Sequence, residues 1–292
     1  DVMMNTVAPV CDGNETWLVL GGAGLLAAFP LAYSVVLSAF YLPLVFMLLG
    51  LIFRGVAFEF RFKAKEKERH WWDKAFIGGS LVATFFQGVT LGGFIDGVPV
   101  ANRAYAGGPL DWISAFSLFT GAGLIAAYAL LGCTWLIFKT TGDLQRRMVA
   151  IGRPLTLIVL AVIAVISVWT PLTHPAIAER WFTMPNLLYF SPVPLLVALV
   201  TWQLLVRLRG EPNAAPFVLT LCLVFLGYSG LGISIWPYVV PPSITLWDAA
   251  APPQSQGFTL VGALLIIPMI LGYTGWSYYV FRGKVDASHG YH

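Results

Sequence analysis

Residues Ile113–Phe138 read ISAFSLFTGAGLIAAYALLGCTWLIF, an apolar run without one charged side chain. A hydrocarbon layer ~30 Å thick takes about 20 helical residues to cross, and this run exceeds that length. A buried strand of a soluble sheet would end after about six residues. The run is therefore expected to be a transmembrane helix, and the fold depends on how often the pattern recurs.

It recurs along the whole chain. Spans are expected at residues 7–29, 31–53, 75–95, 113–138, 155–170, 190–206, 217–239 and 258–281, eight in all. The segments between them are short and polar or Pro-rich, so residues 1–292 are expected to form a single transmembrane helical domain of all-α class. Helices are preferred to a barrel because the apolar runs are continuous; barrel strands alternate over about ten residues. Pro43 and Pro268 fall inside spans and should kink them. The small-residue runs Gly21-Gly22-Ala23-Gly24 and Gly121-Ala122-Gly123 are expected to let helices approach closely in lipid.

Composition agrees. Hydrophobic residues make up 58% and charged residues 11% of the 292 residues, with mean hydropathy +0.77. A soluble domain carries about 25% charge, so soluble globular and disordered classes are excluded. The net charge of +3 is small and the basic residues are scattered, which excludes a nucleic-acid-tracking surface. Cys11, Cys133 and Cys222 lie far apart with no CxxC spacing and are expected to be buried small apolar residues.

Charge also orients the chain. Arg54, Arg61, Lys63, Lys65, Lys67, Arg69 and Lys74 follow the second expected span, and only Arg103 lies in the next loop. Lys139, Arg146, Arg147 and Arg153 come next, then Arg180 alone, then Arg207 and Arg209. The loop 240–257 has no Lys or Arg, and the tail has Arg282 and Lys284. Basic and non-basic loops alternate, so the positive-inside rule places the C-terminus in the cytoplasm.

Haem iron needs His, Met, Cys or Tyr facing it. His70, His174, His289 and His292 all lie outside the expected spans. The chain is expected to bind no haem and no metal by itself and to carry no catalytic residue of its own. Acids at bilayer depth are more informative, because a charge there costs about 2.5–3.5 kcal/mol on insertion scales. Asp12 and Glu15, in Asp12-Gly13-Asn14-Glu15-Thr16-Trp17, are spaced to share one helix face. Two readings stand: a partly desolvated pair that passes protons, or a capping box with Asp12 as N-cap. Arg54 reads as a side chain reaching from a span end to water. Trp247-Asp248, in the last non-basic loop, reads as an interfacial aromatic with a polar neighbour, or as a pair facing a partner protein.

The order of motifs resembles subunit II of the cytochrome bd-type quinol oxidases, also called cyanide-insensitive oxidases. The resemblance rests on Asn5-Thr6-Val7-Ala8-Pro9, on the Asp12–Trp17 stretch, and on Gly21-Gly22-Ala23 through Phe29-Pro30 to Phe40-Tyr41. It continues in Phe53-Arg54, Phe58, Arg61, Gly97-Val98-Pro99, Trp236-Pro237-Tyr238, Pro241 and Leu246-Trp247-Asp248-Ala249. The family has a further N-terminal helix with an Asp-Gly-Phe-Asp-type stretch. That helix is absent here, so the eight spans would be helices two to nine of nine, and the chain is expected to be a fragment.

The resemblance implies a bacterial inner-membrane complex that oxidises quinol and reduces oxygen to water. Haems b and d would belong to subunit I, against which this haem-free chain packs as a pseudo-symmetric partner that supports haem assembly. Asp12 matches a family acid placed on a proton path from the cytoplasm, with Glu15 beside it. Arg54, Trp247 and Asp248 match family patterns, with interface or quinone-tail contact as the role suggested. A small single-helix subunit, lipid and quinone are further partners the resemblance leaves open. A secondary transporter is the competing class, although no internal repeat is found; a purely structural assembly subunit is the other.

Overall fold

The computed structural model describes residues 2–285, with only the backbone for residues 11–15. Its helices are α1 (Val2–Val7), α2 (Cys11–Ala28), α3 (Pro30–Ala39), α4 (Tyr41–Lys63), α5 (Arg69–Asp96), α6 (Ala115–Lys139) and α7 (Gly142–Thr173). They continue with α8 (Pro175–Phe182), α9 (Asn186–Phe190), α10 (Pro192–Arg207), α11 (Ala215–Ile235), α12 (Leu246–Ala249) and α13 (Pro253–Val280). A 3-10 turn, Ala8–Val10, joins α1 to α2, and β1 (Val100–Ala101) with β2 (Ala104–Tyr105) form a small hairpin.

Among the described residues, seven helical segments are long and apolar enough to cross a membrane: α4, α5, α6, α7, Asn186–Arg207, α11 and α13. Two shorter apolar helices, Thr16–Ala28 and Pro30–Ala39, precede them. The chain is a polytopic helical membrane protein.

The helix boundaries depart from the expected spans at the start of the chain. The run expected as one span over 31–53 is two helices, α3 ending at Ala39 and α4 running on to Lys63. Pro43 supplies the reason. It has no N–H for the Ala39 carbonyl one turn earlier, so the helix is interrupted there. Arg54 consequently lies within α4, not at the end of a span, and Arg61 and Lys63 belong to the last turn of α4 and not to a loop. The run expected over 155–170 extends over Gly142–Thr173, with Pro154 inside it.

The chain divides into two compact units, one comprising Ser34–Tyr128 with Val240–Ile244, the other Asp1–Tyr33, Ala129–Val239 and Thr245–His292. In the first, α4 and α5 form a hairpin. Gly50 and Gly79 let its helices touch. A Cβ on Gly50 would lie 2.7 Å from the Gly79 carbonyl, and one on Gly79 would lie 2.8 Å from the Arg54 nitrogen. Close backbone approach of this kind is how helices associate in lipid, where no hydrophobic drive exists between them. The hairpin is closed at its turn by Arg61, whose Nε donates to Asp73 Oδ1 at 2.5 Å. Helix α6 meets α5 by the same device, since a Cβ on Gly88 would lie 2.8 Å from Gly121 Cα.

Beyond α5, Asn102 and Arg103 adopt φ 50° and 61° at the tip of the β1–β2 hairpin, the left-handed geometry that two-residue hairpin turns require. The loop after it is pinned by side chains. The Tyr105 hydroxyl donates to the Gly108 carbonyl at 2.7 Å, and Asp111 accepts the Gly108 N–H at 2.7 Å.

In the second unit α2 and α13 pack antiparallel. Near one end the Ala251 N–H donates to the Ala28 carbonyl at 2.9 Å. At the other, Ser277 Oγ donates to the Pro9 carbonyl at 3.1 Å. Glycine packing is divided: Gly121 is in tight contact, but a Cβ at Gly21, Gly22 or Gly24 would meet nothing within 4 Å. The close approach expected of both small-residue runs is thus seen at Gly121 and not at the three glycines of α2.

Candidate functional site

The start of α2 is seated inside its unit. Asn5, Thr6 and Val10 are buried, which is unusual for a segment leading into an apolar helix. Thr6 Oγ1 donates to the Met3 carbonyl at 2.8 Å and accepts from the Trp135 indole N–H at 3.2 Å. Trp135 in turn lies edge-on to Tyr278 of α13, with ring centroids 6.1 Å apart. Together with the Ser277–Pro9 bond, this ties the entry into α2 to both α6 and α13.

Asp12 and Glu15 lie on this helix. Their side chains fall outside the described part, but the backbone decides one of the two readings of the pair. Helix α2 begins at Cys11, and Val10 occupies the cap position with no side-chain cap bond. Asp12 is therefore the second helical residue, and the reading of Asp12 as N-cap is corrected. Composition does not locate this start, because the turn Ala8–Val10 continues the helical path of α1.

Trp247 and Asp248 lie on α12. Asp248 acts locally. Its carboxylate accepts from Thr245 Oγ1 at 2.5 Å and from the Thr245 N–H at 3.2 Å, while the Asp248 N–H donates to Thr245 Oγ1 at 3.3 Å. That reciprocal capping box is written in the Thr245-x-x-Asp248 spacing. Trp247 is largely exposed and packs edge-to-face on Trp236 at 5.9 Å. Arg54 is in the other unit, on α4, where its backbone nitrogen lies against Gly79.

Lys139 is a buried cation that the sequence does not single out, since it groups with the basic loops. It ends α6 and is 4% exposed. Its Nζ donates to the carbonyls of Phe281 and, at 3.1 Å, Gly283. The rings of Trp135 and Phe138 lie 5.2 and 5.6 Å from it. The Val285 N–H returns to the Lys139 carbonyl at 2.8 Å. A lysine at the boundary of a span beside a tail of mixed polarity is the signal the sequence offers.

The described histidines stand at helix ends. His70 is in the first turn of α5, its Nδ1 2.9 Å from the Lys67 carbonyl, and His174 joins α7 to α8. Neither described histidine lies in the interior of a helix. Among the described residues no group of three or more His, Cys, Asp or Glu could hold a metal ion. His289 and His292 lie outside the described residues.

Comparison with known proteins gives a consistent result. The sequence profile described as cytochrome bd terminal oxidase subunit II matches residues 1–281. The chain is 29% identical over 325 residues to cytochrome bd-I ubiquinol oxidase subunit 2 of Escherichia coli (strain K12), covering 97% of this chain and 84% of that one. It is 30% identical over 296 residues to cytochrome bd ubiquinol oxidase subunit 2 of Bacillus subtilis (strain 168), covering 98% and 85%. Among solved structures, that of the bd oxidase from Geobacillus thermodenitrificans matches with TM-score 0.72 at 10% identity, covering 96% of this chain and 86% of that one. At that identity the match speaks for the fold alone.

Proposed function

The chain belongs to the cytochrome bd terminal oxidase subunit II family, and from that premise we propose that it is the haem-free subunit of a bacterial inner-membrane quinol:oxygen oxidoreductase. In this reading subunit I holds haems b and d and the quinol chemistry. This chain packs against it, supports haem assembly and takes up protons from the cytoplasm through Asp12, with Glu15 as its neighbour on α2. Its C-terminus faces the cytoplasm. Arg54 and Trp247 serve contacts with subunit I or a quinone tail. A small single-helix subunit, lipid and quinone complete the assembly.

The observation that carries the proton reading is the seating of α2. Reducing oxygen to water consumes protons as well as electrons, and the electrons travel through the partner. Protons need polar side chains or water across otherwise apolar packing. Asp12 lies one turn from Pro9, which is bonded to α13, and its segment is held by Trp135 of α6. Acids kept at bilayer depth are costly and commonly serve proton transfer, which supports the reading of Asp12 on the seated start of α2.

The test is Asp12→Asn in the assembled complex, with haem content and oxygen consumption measured separately. The expected result is a full haem spectrum with turnover lowered about a hundredfold, the lower side of what a positioned proton-transfer group contributes. Full haem with undiminished turnover would leave only an assembly role for the chain.

A further inference from the structure

Helix α4 is longer than the hydrocarbon layer it crosses. From Tyr41 to Arg61 it rises about 30 Å at ~1.5 Å per residue, the thickness of that layer. Its last residues, the turn after it and the first turn of α5 therefore stand at the level of the lipid headgroups. This stretch is strongly basic. Arg61, Lys63, Lys65, Lys67, Arg69 and Lys74 are set against Glu66, Glu68 and Asp73, an excess of three positive charges, as large as the net charge of +3 of the whole chain.

Most of that charge is unspent. Asp73 is taken by Arg61 at 2.5 Å. Among the described residues no ion pair reaches Lys63, Lys65, Lys67, Arg69 or Lys74. The four lysines are exposed. Backbone bonds hold the turn that carries them: the Glu68 N–H donates to the Lys65 carbonyl at 2.8 Å, and the Trp71 N–H to the Glu68 carbonyl at 3.0 Å. Arg69 is half-buried, and its Nε is shielded from solvent without a hydrogen-bond partner. Such a donor is costly to leave unmet, and a guanidinium turned outward onto a phosphate oxygen satisfies it.

Exposed aromatic rings share this end of the hairpin. Phe60, Phe62 and Trp71 are 55%, 38% and 64% exposed. Phe60 packs against Trp72 with ring centroids 5.2 Å apart, and the Lys74 ammonium lies 4.7 Å from the centre of the Trp71 ring. An acidic peptide in water would answer the cations and leave the rings wet. A layer of acidic headgroups answers both, since aromatic rings settle at its apolar edge while its phosphates accept from the cations.

We propose that the turn end of the α4–α5 hairpin binds an anionic phospholipid, its phosphate on Arg69 and the neighbouring lysines and its upper acyl chains against Phe62 and Trp71. A zwitterionic lipid carries its own cation beside the phosphate, so the site selects for net negative charge. The site rests on the membrane crossing of α4 and α5 and is independent of the proton-uptake reading.

The experiment takes the purified, assembled oxidase, stripped of lipid in detergent, and titrates it with phosphatidylglycerol or phosphatidylcholine of equal chains. Bound lipid is counted by native mass spectrometry. Arg69→Gln, the triple variant Lys63→Gln/Lys65→Gln/Lys67→Gln, and Trp71→Ser are compared with the parent, with haem content as the control for assembly. The parent is expected to hold one phosphatidylglycerol in preference to phosphatidylcholine. Arg69→Gln should weaken that lipid about fivefold, the equivalent of one surface cation, and the triple variant more, each leaving phosphatidylcholine unchanged. Trp71→Ser should weaken phosphatidylglycerol with every cation in place, and it serves where a charge variant fails to assemble. Equal affinity for the two lipids in the parent, or a preference that survives both charge variants, overturns the proposal. So does poly-glutamate binding that is lost in the charge variants while phosphatidylglycerol binding persists, which would assign the cations to an acidic protein partner.

Discussion

Gly50 and Gly79 face one another across the α4–α5 hairpin so closely that a Cβ on Gly79 would lie 2.6 Å from the Gly50 carbonyl. No rotamer change relieves a clash with backbone, so the helices themselves would have to part. Gly50→Ala and Gly79→Ala are each expected to destabilise the protein by about 1–3 kcal/mol, the usual cost of overpacking. Gly55→Ala, on the same helix but with nothing within 4 Å of its Cβ, should leave the thermal midpoint in detergent nearly unchanged. Equal midpoints for all three variants would contradict the close approach.

Arg61 and Asp73 hold the turn end of the same hairpin. The Arg61 side chain is 11% exposed and that of Asp73 is 48% exposed. Asp73→Asn leaves a shielded guanidinium with a weaker acceptor, and because one partner is half in solvent the loss should be about 1 kcal/mol. Arg61→Met should cost no more than Asp73→Asn, because it leaves no buried charge. A double-mutant cycle read by chemical denaturation checks the coupling.

Asp248 and Thr245 are expected to be a cap and not a reacting pair. Thr245→Val should loosen the residues around α12 by about 1 kcal/mol, seen as faster amide exchange at Asp248, while haem content and turnover of the complex stay as they were. Loss of turnover with exchange unaltered would give the pair a role in function.

Tyr105 ties its loop to pH. Burial first, then the charge of Asp111 and the hydrogen bond to it, raise its pKa above the ordinary 10.0. A group whose folded pKa lies above its unfolded one lends stability that is complete below the unfolded value and lost as pH rises through the folded one. The loop should therefore be indifferent to pH up to about 10 and loosen above it. Tyr105→Phe should abolish that alkaline step, as followed by proteolysis of residues 99–112 in intact membranes.

Lys139 holds the chain after α13. Lys139→Met removes the donor to the Phe281 and Gly283 carbonyls and should expose the segment beyond Val280 to protease several-fold faster, with the α2 seating unchanged. Protection equal to that of the parent protein would show that the Val285–Lys139 backbone bond suffices.

What the sequence reveals and what it conceals divide along one physical line. Apolar length marks α5, α6, α11 and α13 within a few residues, because lipid thickness sets a minimum that composition must meet. The division between α3 and α4 is hidden, since apolar residues lie on both sides and the Phe40 ring is itself buried, near where a Cβ on Gly93 would lie at 2.8 Å. Pro43 signals an interruption but not that α4 runs on to Lys63. At the site, Asp12 is legible as an acid in an apolar segment.

The clasp between α2 and α13 sets an order on biogenesis. A ribosome delivers α2 before α13, so until α13 emerges the start of α2 has no completed seat. A product released before Ser277 would lack the contact that holds Pro9 and would present unfinished polar groups to membrane quality control.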